Sequence, residues 1–201
     1  MADTLFVSYT KYKTSGIVIG GSNIGEGSRN LFILTRHFGL LSVRAQGVRE
    51  LGSKLKYHLQ NLFLLEIHLI RGKRGWVVTE ALGQRSFFDS ENRNKTRALS
   101  RILLLARRML PEENRQYEIF DIISGGLSFL FSRPFSDEDI RNLEALIVLR
   151  FLRALGYIKK KDKIEKFIET NLYNEGLLKE ASSLRPQMIR EINISLKESG
   201  L

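Results

Sequence analysis

The chain has 201 residues, 43% hydrophobic and 27% charged, a globular composition long enough for one or two domains, which excludes a linker, a disordered tail and a collagen-like chain. Lys and Arg number 32 against 22 Asp and Glu, a net charge of +10, which points to a polyanionic partner such as nucleic acid or an anionic surface. With no cysteine, disulfides, thiol catalysis, iron–sulfur clusters and thiolate zinc sites are excluded, and a reducing, cytoplasmic setting is expected.

Met1 to Thr14 carries Asp3 beside Leu5-Phe6-Val7 and lacks a long apolar core or a small-residue cleavage site, so it reads as no export signal. No stretch approaches the roughly 18 apolar residues that a membrane span needs. Period-two alternation predicts strands at Ser15 to Gly20, Ser28 to Thr35, Leu40 to Gln46, Leu62 to Arg71 and Trp76 to Arg85. In the third of these, Leu41, Val43 and Ala45 face one way and Ser42, Arg44 and Gln46 the other. Ser53 to Gln60 reads as a short helix, and Gly72-Lys73-Arg74-Gly75 as a tight turn joining the last two strands. Three strands, a short helix and two strands follow the order of an OB-fold barrel.

From Asn92 the period becomes helical. Leu99, Ile102, Leu103, Ala106 and Leu110 form a stripe that Pro111 ends. A second helix is expected from Arg115 to Ser132, with Gly125-Gly126 marking a close contact or a kink. A third starts at a Ser136 cap with Asp137, Glu138 and Asp139 in its first turn, and stops at Gly156. Lys159-Lys160-Lys161-Asp162-Lys163 reads as a solvated turn, and the last helix as beginning at Pro186. The fold class expected is α+β with two domains: a five-stranded OB-fold barrel over residues 1–86 and a helical domain over 87–201.

Charge is uneven between these parts. Residues 1–86 hold twelve basic side chains against five acidic ones, most of the excess. Arg36, Arg44, Arg49, Lys54, Lys56, Arg71, Lys73 and Arg74 lie on the third strand and on the connectors where an OB-fold groove follows phosphates, and are the expected nucleic-acid-binding residues. Phe32, Phe63 and Trp76 sit on strands, where core packing is the default, which leaves Tyr57 as the exposed stacking residue. Gly20 to Gly27 is glycine-rich but lacks a Gly-Lys-Ser/Thr ending and precedes a strand, so it reads as a flexible connector rather than a phosphate loop. His37, His58 and His68 are dispersed without metal-ligand spacing, and no nucleophile elbow is present. No catalytic residue, cofactor, metal or small-molecule substrate is expected.

Several colinear pieces resemble bacterial RecO proteins. They are Thr14-Ser15-Gly16-Ile17-Val18-Ile19, Ile24-Gly25-Glu26-Gly27-Ser28-Arg29, Leu34-Thr35-Arg36-His37-Phe38-Gly39-Leu40-Leu41-Ser42, Ala45-Gln46-Gly47-Val48-Arg49, Ser53-Lys54-Leu55, Leu59-Gln60-Asn61-Leu62, Leu64-Leu65-Glu66-Ile67 and Ile70-Arg71-Gly72. Leu152-Arg153-Ala154-Leu155-Gly156-Tyr157 is similar to the segment before the zinc-binding insert of that family. The resemblance implies an OB-fold and a helical domain that bind single- and double-stranded DNA, promote annealing and, with RecR, help load recombinase onto DNA coated by single-strand binding protein. It implies no enzymatic activity. Many members hold zinc with four cysteines after this point; here Ile158-Lys159-Lys160-Lys161-Asp162-Lys163 follows instead, so zinc is not carried over and the chain reads as a short form. The resemblance further implies that the acidic, phenylalanine-ended tail of single-strand binding protein docks on the helical domain. The Ser136 to Leu155 helix offers an apolar stripe of Ile140, Leu143, Ile147 and Phe151 for it, with Arg141, Arg150 and Arg153 on the flanks. From barrel and charge alone, an RNA-binding module in translation or RNA metabolism remains the alternative.

Overall fold

Strands that alternate apolar and polar residues each have one face to bury, and closing them on one another buries all of those faces around a single core. In the computed structural model, which describes residues 10–89, 91–158 and 163–200, β1 (Lys11–Ile24), β2 (Ser28–Thr35), β3 (Gly39–Ala45), β4 (Phe63–Gly72) and β5 (Gly75–Ser86) form a closed barrel in the order β1-β2-β3-β5-β4. Neighbours are antiparallel except β3 and β5, which run parallel through Val43↔Trp76 and Arg44↔Val77. The ring closes because β1 serves two partners, its first half pairing with β4 and its second with β2. The register skips a residue between Val18 and Gly20, and such a bulge bends a strand as closure requires. Val18, Leu31, Ile33, Leu41, Val43, Leu65, Ile67, Leu69 and Val78 fill the interior. Tyr12, Phe38 and Trp76 pack ring against ring beside them, with centroids 5.3 to 5.5 Å apart.

Two expectations for this part change. The glycine-rich stretch is no loose connector: β1 continues through Gly20, Gly21, Ser22 and Asn23 to Ile24, and only Gly25-Glu26-Gly27 turns, with Gly25 at φ +57°. A Cβ on Gly21 would lie 2.3 Å from the Asn30 carbonyl oxygen, so glycine here permits close pairing of the β1–β2 hairpin. The short helix is a single turn, α1 (Leu55–His58).

The chain divides into two compact units, one holding the barrel together with Pro111–Arg115, the other holding Phe87–Leu110 and the residues from Gln116 onward. Pro111–Arg115 is bound closely to β3. The Glu113 amide donates to the Leu40 carbonyl at 2.9 Å, and Glu112 forms an isolated parallel bridge with Leu40. Gly39, at φ +70°, packs so tightly that a Cβ would sit 1.9 Å from the Asn114 carbonyl oxygen.

The second unit contains α2 (Arg93–Met109), α3 (Tyr117–Leu130), α4 (Asp137–Ala154), α5 (Glu165–Ile168) and α6 (Glu175–Glu198). The Asn92 side chain accepts from the Asn94 and Lys95 amides, and the Ser136 hydroxyl accepts from the Asp139 amide at 3.1 Å, so both caps satisfy donors that the first helical turn leaves free. The glycine pair of α3 is a packing contact: a Cβ on Gly126 would meet the Ile147 side chain at 2.5 Å. The last helix does not begin at Pro186. It begins at Glu175, capped by the Asn174 side chain, and Pro186 lies inside it. Leu178 and Ala181 before the proline and Met188 and Ile192 after it are all buried, and that continuous face outweighs one lost backbone hydrogen bond. The lysine-rich Lys159–Asp162 segment lies outside the described residues. No described helix is long and apolar enough to cross a membrane.

Candidate nucleic-acid interface

Residues of β2 and β3 that do not enter the barrel core form a shared outward face. Asn30 and Arg44 are register partners there, as are Phe32 and Ser42. The Asn30 amide donates to the Ser42 hydroxyl at 2.9 Å, and Arg44 is exposed. Phe32, expected in the core, is half-buried between the buried Leu31 and Ile33, so strand alternation turns its ring to the outer face. Trp76 does take the core position expected of it, and Phe63 packs against that core. Asn30, Phe32 and Ser42 join Arg44 as candidate interface residues that were not singled out from sequence; the signal was the same alternation that singled out Arg44.

Cations collect at the two ends of this face. At one end, Lys73 and Arg74 form the exposed tip of the β4–β5 hairpin, where Gly72 pairs with Gly75. Arg71 lies opposite Trp76, its guanidinium carbon 5.3 Å from that ring, and pairs with Glu113 at 2.8 Å. Glu113 holds a positive φ of 58° in this arrangement. Arg36 is exposed in the β2–β3 turn, with its amide bonded to the Ser15 carbonyl. At the other end, Arg49 donates to the Gly25 carbonyl at 3.0 Å, and its amide bonds Gly27. Lys54 is exposed just before α1. Lys56 donates to the Leu51 carbonyl at 2.9 Å and lies 5.0 Å from the centre of the exposed Tyr57 ring. The eight cations thus fall into a hairpin group, a group around the β1–β2 turn, and Arg44 on the face itself.

Residues 9–81 match the family model described as "Recombination protein O N terminal". The chain is 37% identical over 148 residues to the DNA repair protein RecO of Heliobacterium modesticaldum, covering 73% of this chain and 52% of that protein. It is 33% identical over 152 residues to that of Roseiflexus sp., covering 73% and 50%, and 32% identical over 120 residues to that of Dehalococcoides mccartyi, covering 59% and 47%. The chain belongs to the RecO family. It spans about half the length of the curated relatives it matches.

In the helical unit of this RecO family member, one expected partner-binding residue is misplaced. Arg150 does not flank the α4 stripe; it is wholly buried. Its Nε donates to the Phe167 carbonyl at 2.7 Å, Nη1 donates to the Leu172 carbonyl at 3.0 Å, and the guanidinium stacks 4.4 Å from the Tyr173 ring. Burial lowers its pKa, with nearby Tyr173 acting in the opposite direction. The physical reason is that the Phe167 and Leu172 carbonyls point at α4, and the guanidinium supplies donors for them. Arg153 pairs with Glu118 at 2.8 Å. Arg141 is exposed and lines a groove of about 340 Å³ with Arg101, Arg185, Leu105, Val148, Ile189 and Leu196. Arg101 there holds the Glu144 carboxylate with two donors, which raises its pKa.

The three histidines have local partners. His37 Nδ1 lies 3.0 Å from the Thr14 hydroxyl, His58 Nδ1 accepts from the Gly83 amide at 3.1 Å, and His68 Nδ1 is 2.8 Å from Glu80. Among the described residues, no three His, Asp or Glu side chains are grouped as metal ligands.

Proposed function

We propose that the chain is a DNA repair and recombination mediator whose barrel binds single-stranded DNA across the outer face of β2 and β3. One observation carries this reading: a RecO-family barrel presents Arg44, Asn30, Ser42 and the half-buried Phe32 on one face, between two cationic ends. Cations neutralise phosphates, an aromatic ring offers a stacking surface to any base, and the short polar side chains reach sugar and phosphate oxygens. Affinity then depends little on sequence. Duplex DNA meets the same cations, and holding two complementary strands on a basic surface favours annealing. Loading of recombinase together with RecR, and a non-enzymatic role throughout, complete the reading that family membership supports.

For the acidic tail of single-strand binding protein, the reading moves from the α4 stripe to a groove lined by α2, α4 and α6. The groove, where Glu144 already holds Arg101, combines apolar walls with the Arg141 and Arg185 guanidinium groups, the two features that an acidic peptide ending in phenylalanine requires. Arg150, being buried, takes no part. Calorimetry with a tail peptide at low salt is expected to show binding that Arg141→Glu abolishes; heat unchanged by that substitution refutes the placement.

Fluorescence anisotropy of labelled single strands tests the main reading. Arg44→Glu and Arg74→Glu are each expected to weaken binding to all DNA sequences alike, because phosphates carry no base identity. An RNA strand of the same sequence that binds more tightly than the DNA would favour the RNA-binding alternative. Affinity unaffected by both substitutions would remove the proposed face.

A further inference from the structure

Leu51 is 96% exposed and Tyr57 62% exposed, yet the segment that carries them is firmly held. Val48 and Leu59 on either side are buried in the barrel core, and Leu55 packs against it. The Arg49 amide bonds the Gly27 carbonyl, Glu50 bonds Gly47, Ser53 bonds Glu50 and Leu59 bonds Leu55. The Arg49 side chain ties the segment to Gly25 of the β1–β2 turn. A leucine presented to water by a segment pinned at so many points keeps its side chain outside without the loop yielding to bury it.

The surroundings define the ligand chemistry. The Lys56 ammonium donates to the Leu51 carbonyl and also lies 5.0 Å from the Tyr57 ring centre, so one cation joins the Leu51 backbone to the Tyr57 ring and sets the two exposed apolar residues close together. An ammonium has three donors, and one is occupied by that carbonyl, leaving others for a phosphate oxygen. Arg49 and Lys54 add positive charge to the same segment. The carboxylates nearby are Glu50, whose Oε1 would lie 3.1 Å from a Cβ on Gly47 and is therefore turned against the base of the loop, and the exposed Glu26. Apolar side chains set among cations suit nucleic acid, where phosphates meet the charges and the faces of unstacked or terminal bases meet the apolar groups. A continuous stack of bases offers a leucine no open face; the end of a duplex does.

We propose that Leu51 and Tyr57 form an apolar ledge that stacks against the terminal base pair where duplex DNA gives way to single strand, with Lys56 holding the adjoining phosphate. The ledge rests on the reading of the barrel as a DNA-binding surface and adds to it a preferred substrate, a tailed duplex. The single-stranded tail then runs over β2 and β3 while the ledge abuts the last base pair.

The test uses the full chain and three labelled probes: a single strand, a blunt duplex and a duplex with a single-stranded tail. Wild type is expected to prefer the tailed duplex, Leu51→Ala to lower affinity for it about five- to tenfold while changing single-strand affinity less than about twofold, and Tyr57→Ala to lower tailed-duplex affinity by a larger factor than single-strand affinity. Leu51 is solvent-exposed, so the melting temperature of Leu51→Ala is expected to match wild type and keeps the comparison fair. A second readout places 2-aminopurine at the terminal pair, where wild type is expected to change its fluorescence and Leu51→Ala to leave it nearly unchanged. Wild type that binds all three probes equally, or variants that lose the same factor on every probe, would overturn the ledge and leave the DNA-binding reading intact. Wild type that binds none would overturn both.

Discussion

Arg150 is the residue whose chemistry changes most between sequence and fold. Removing it takes a donor from the buried Phe167 carbonyl and another from the part-exposed Leu172 carbonyl. Arg150→Met is therefore expected to lower stability by about 1 to 3 kcal/mol, the cost of one buried acceptor left unsatisfied. Arg153→Ala, which breaks only the exposed pair with Glu118, is expected to cost less than about 1 kcal/mol. Urea titrations of both variants check the contrast, and an Arg150→Met protein as stable as wild type would refute the buried role. Tyr173, stacked on that guanidinium, donates its hydroxyl proton to the Ile122 carbonyl at 3.0 Å, and burial raises its pKa above the usual 10 while Arg150 pulls it down by less. A raised folded-state pKa adds stability that is complete below pH 10 and is lost as pH climbs through the folded value. The stability advantage of wild type over Tyr173→Phe is thus expected to shrink as pH rises above about 10, measured by unfolding at each pH; a gap independent of pH would contradict the burial argument.

Strands and helices were legible in the sequence where one periodicity ran unbroken. Leu41, Val43 and Ala45 against Ser42 and Arg44 defined β3, and Ser136 with its acidic first turn defined the start of α4. Local signals misled where tertiary contacts decided the outcome. Pro186 looked like a helix start, but buried residues on both sides carry α6 through it. Gly20 and Gly21 looked like a loop, although hairpin pairing makes them strand. The docking of Pro111–Arg115 on β3 had no local signature, because it depends on residues about seventy positions away in the chain. Gly39 carries the consequence: with φ +70° and no room for a Cβ beside Asn114, Gly39→Ala is expected to cost about 2 to 4 kcal/mol. Gly25→Ala, at φ +57° with open space around it, is expected to cost only the conformational strain, about 1 to 2 kcal/mol. Equal melting temperatures for the two variants would show that the Asn114 contact adds nothing. In the candidate site, Arg44 and the hairpin cations could be read from the sequence because exposed charges on a strand and a tight turn keep their places. Phe32 could not, since aromatic rings on strands default to the core, and Glu113 beside Arg71 could not, since nothing local links them.

At the scale of the whole molecule, most of the net charge of +10 falls in the first 86 residues, and eight of the twelve basic residues there lie at the two ends and in the middle of one barrel face. Two observations temper the simple sum of those cations. Glu113 occupies Arg71, and the Arg49 and Lys56 side chains already donate to backbone carbonyls, so fewer phosphates are neutralised than there are basic residues. If this face binds single-stranded DNA through its phosphates, affinity must depend on salt. With four to six phosphate contacts, the logarithm of the association constant is expected to fall against the logarithm of salt concentration with a slope of about −3 to −4, at roughly 0.7 per contact. Anisotropy titrations of one labelled single strand from low to moderate salt give that slope, and a value near zero would contradict the account.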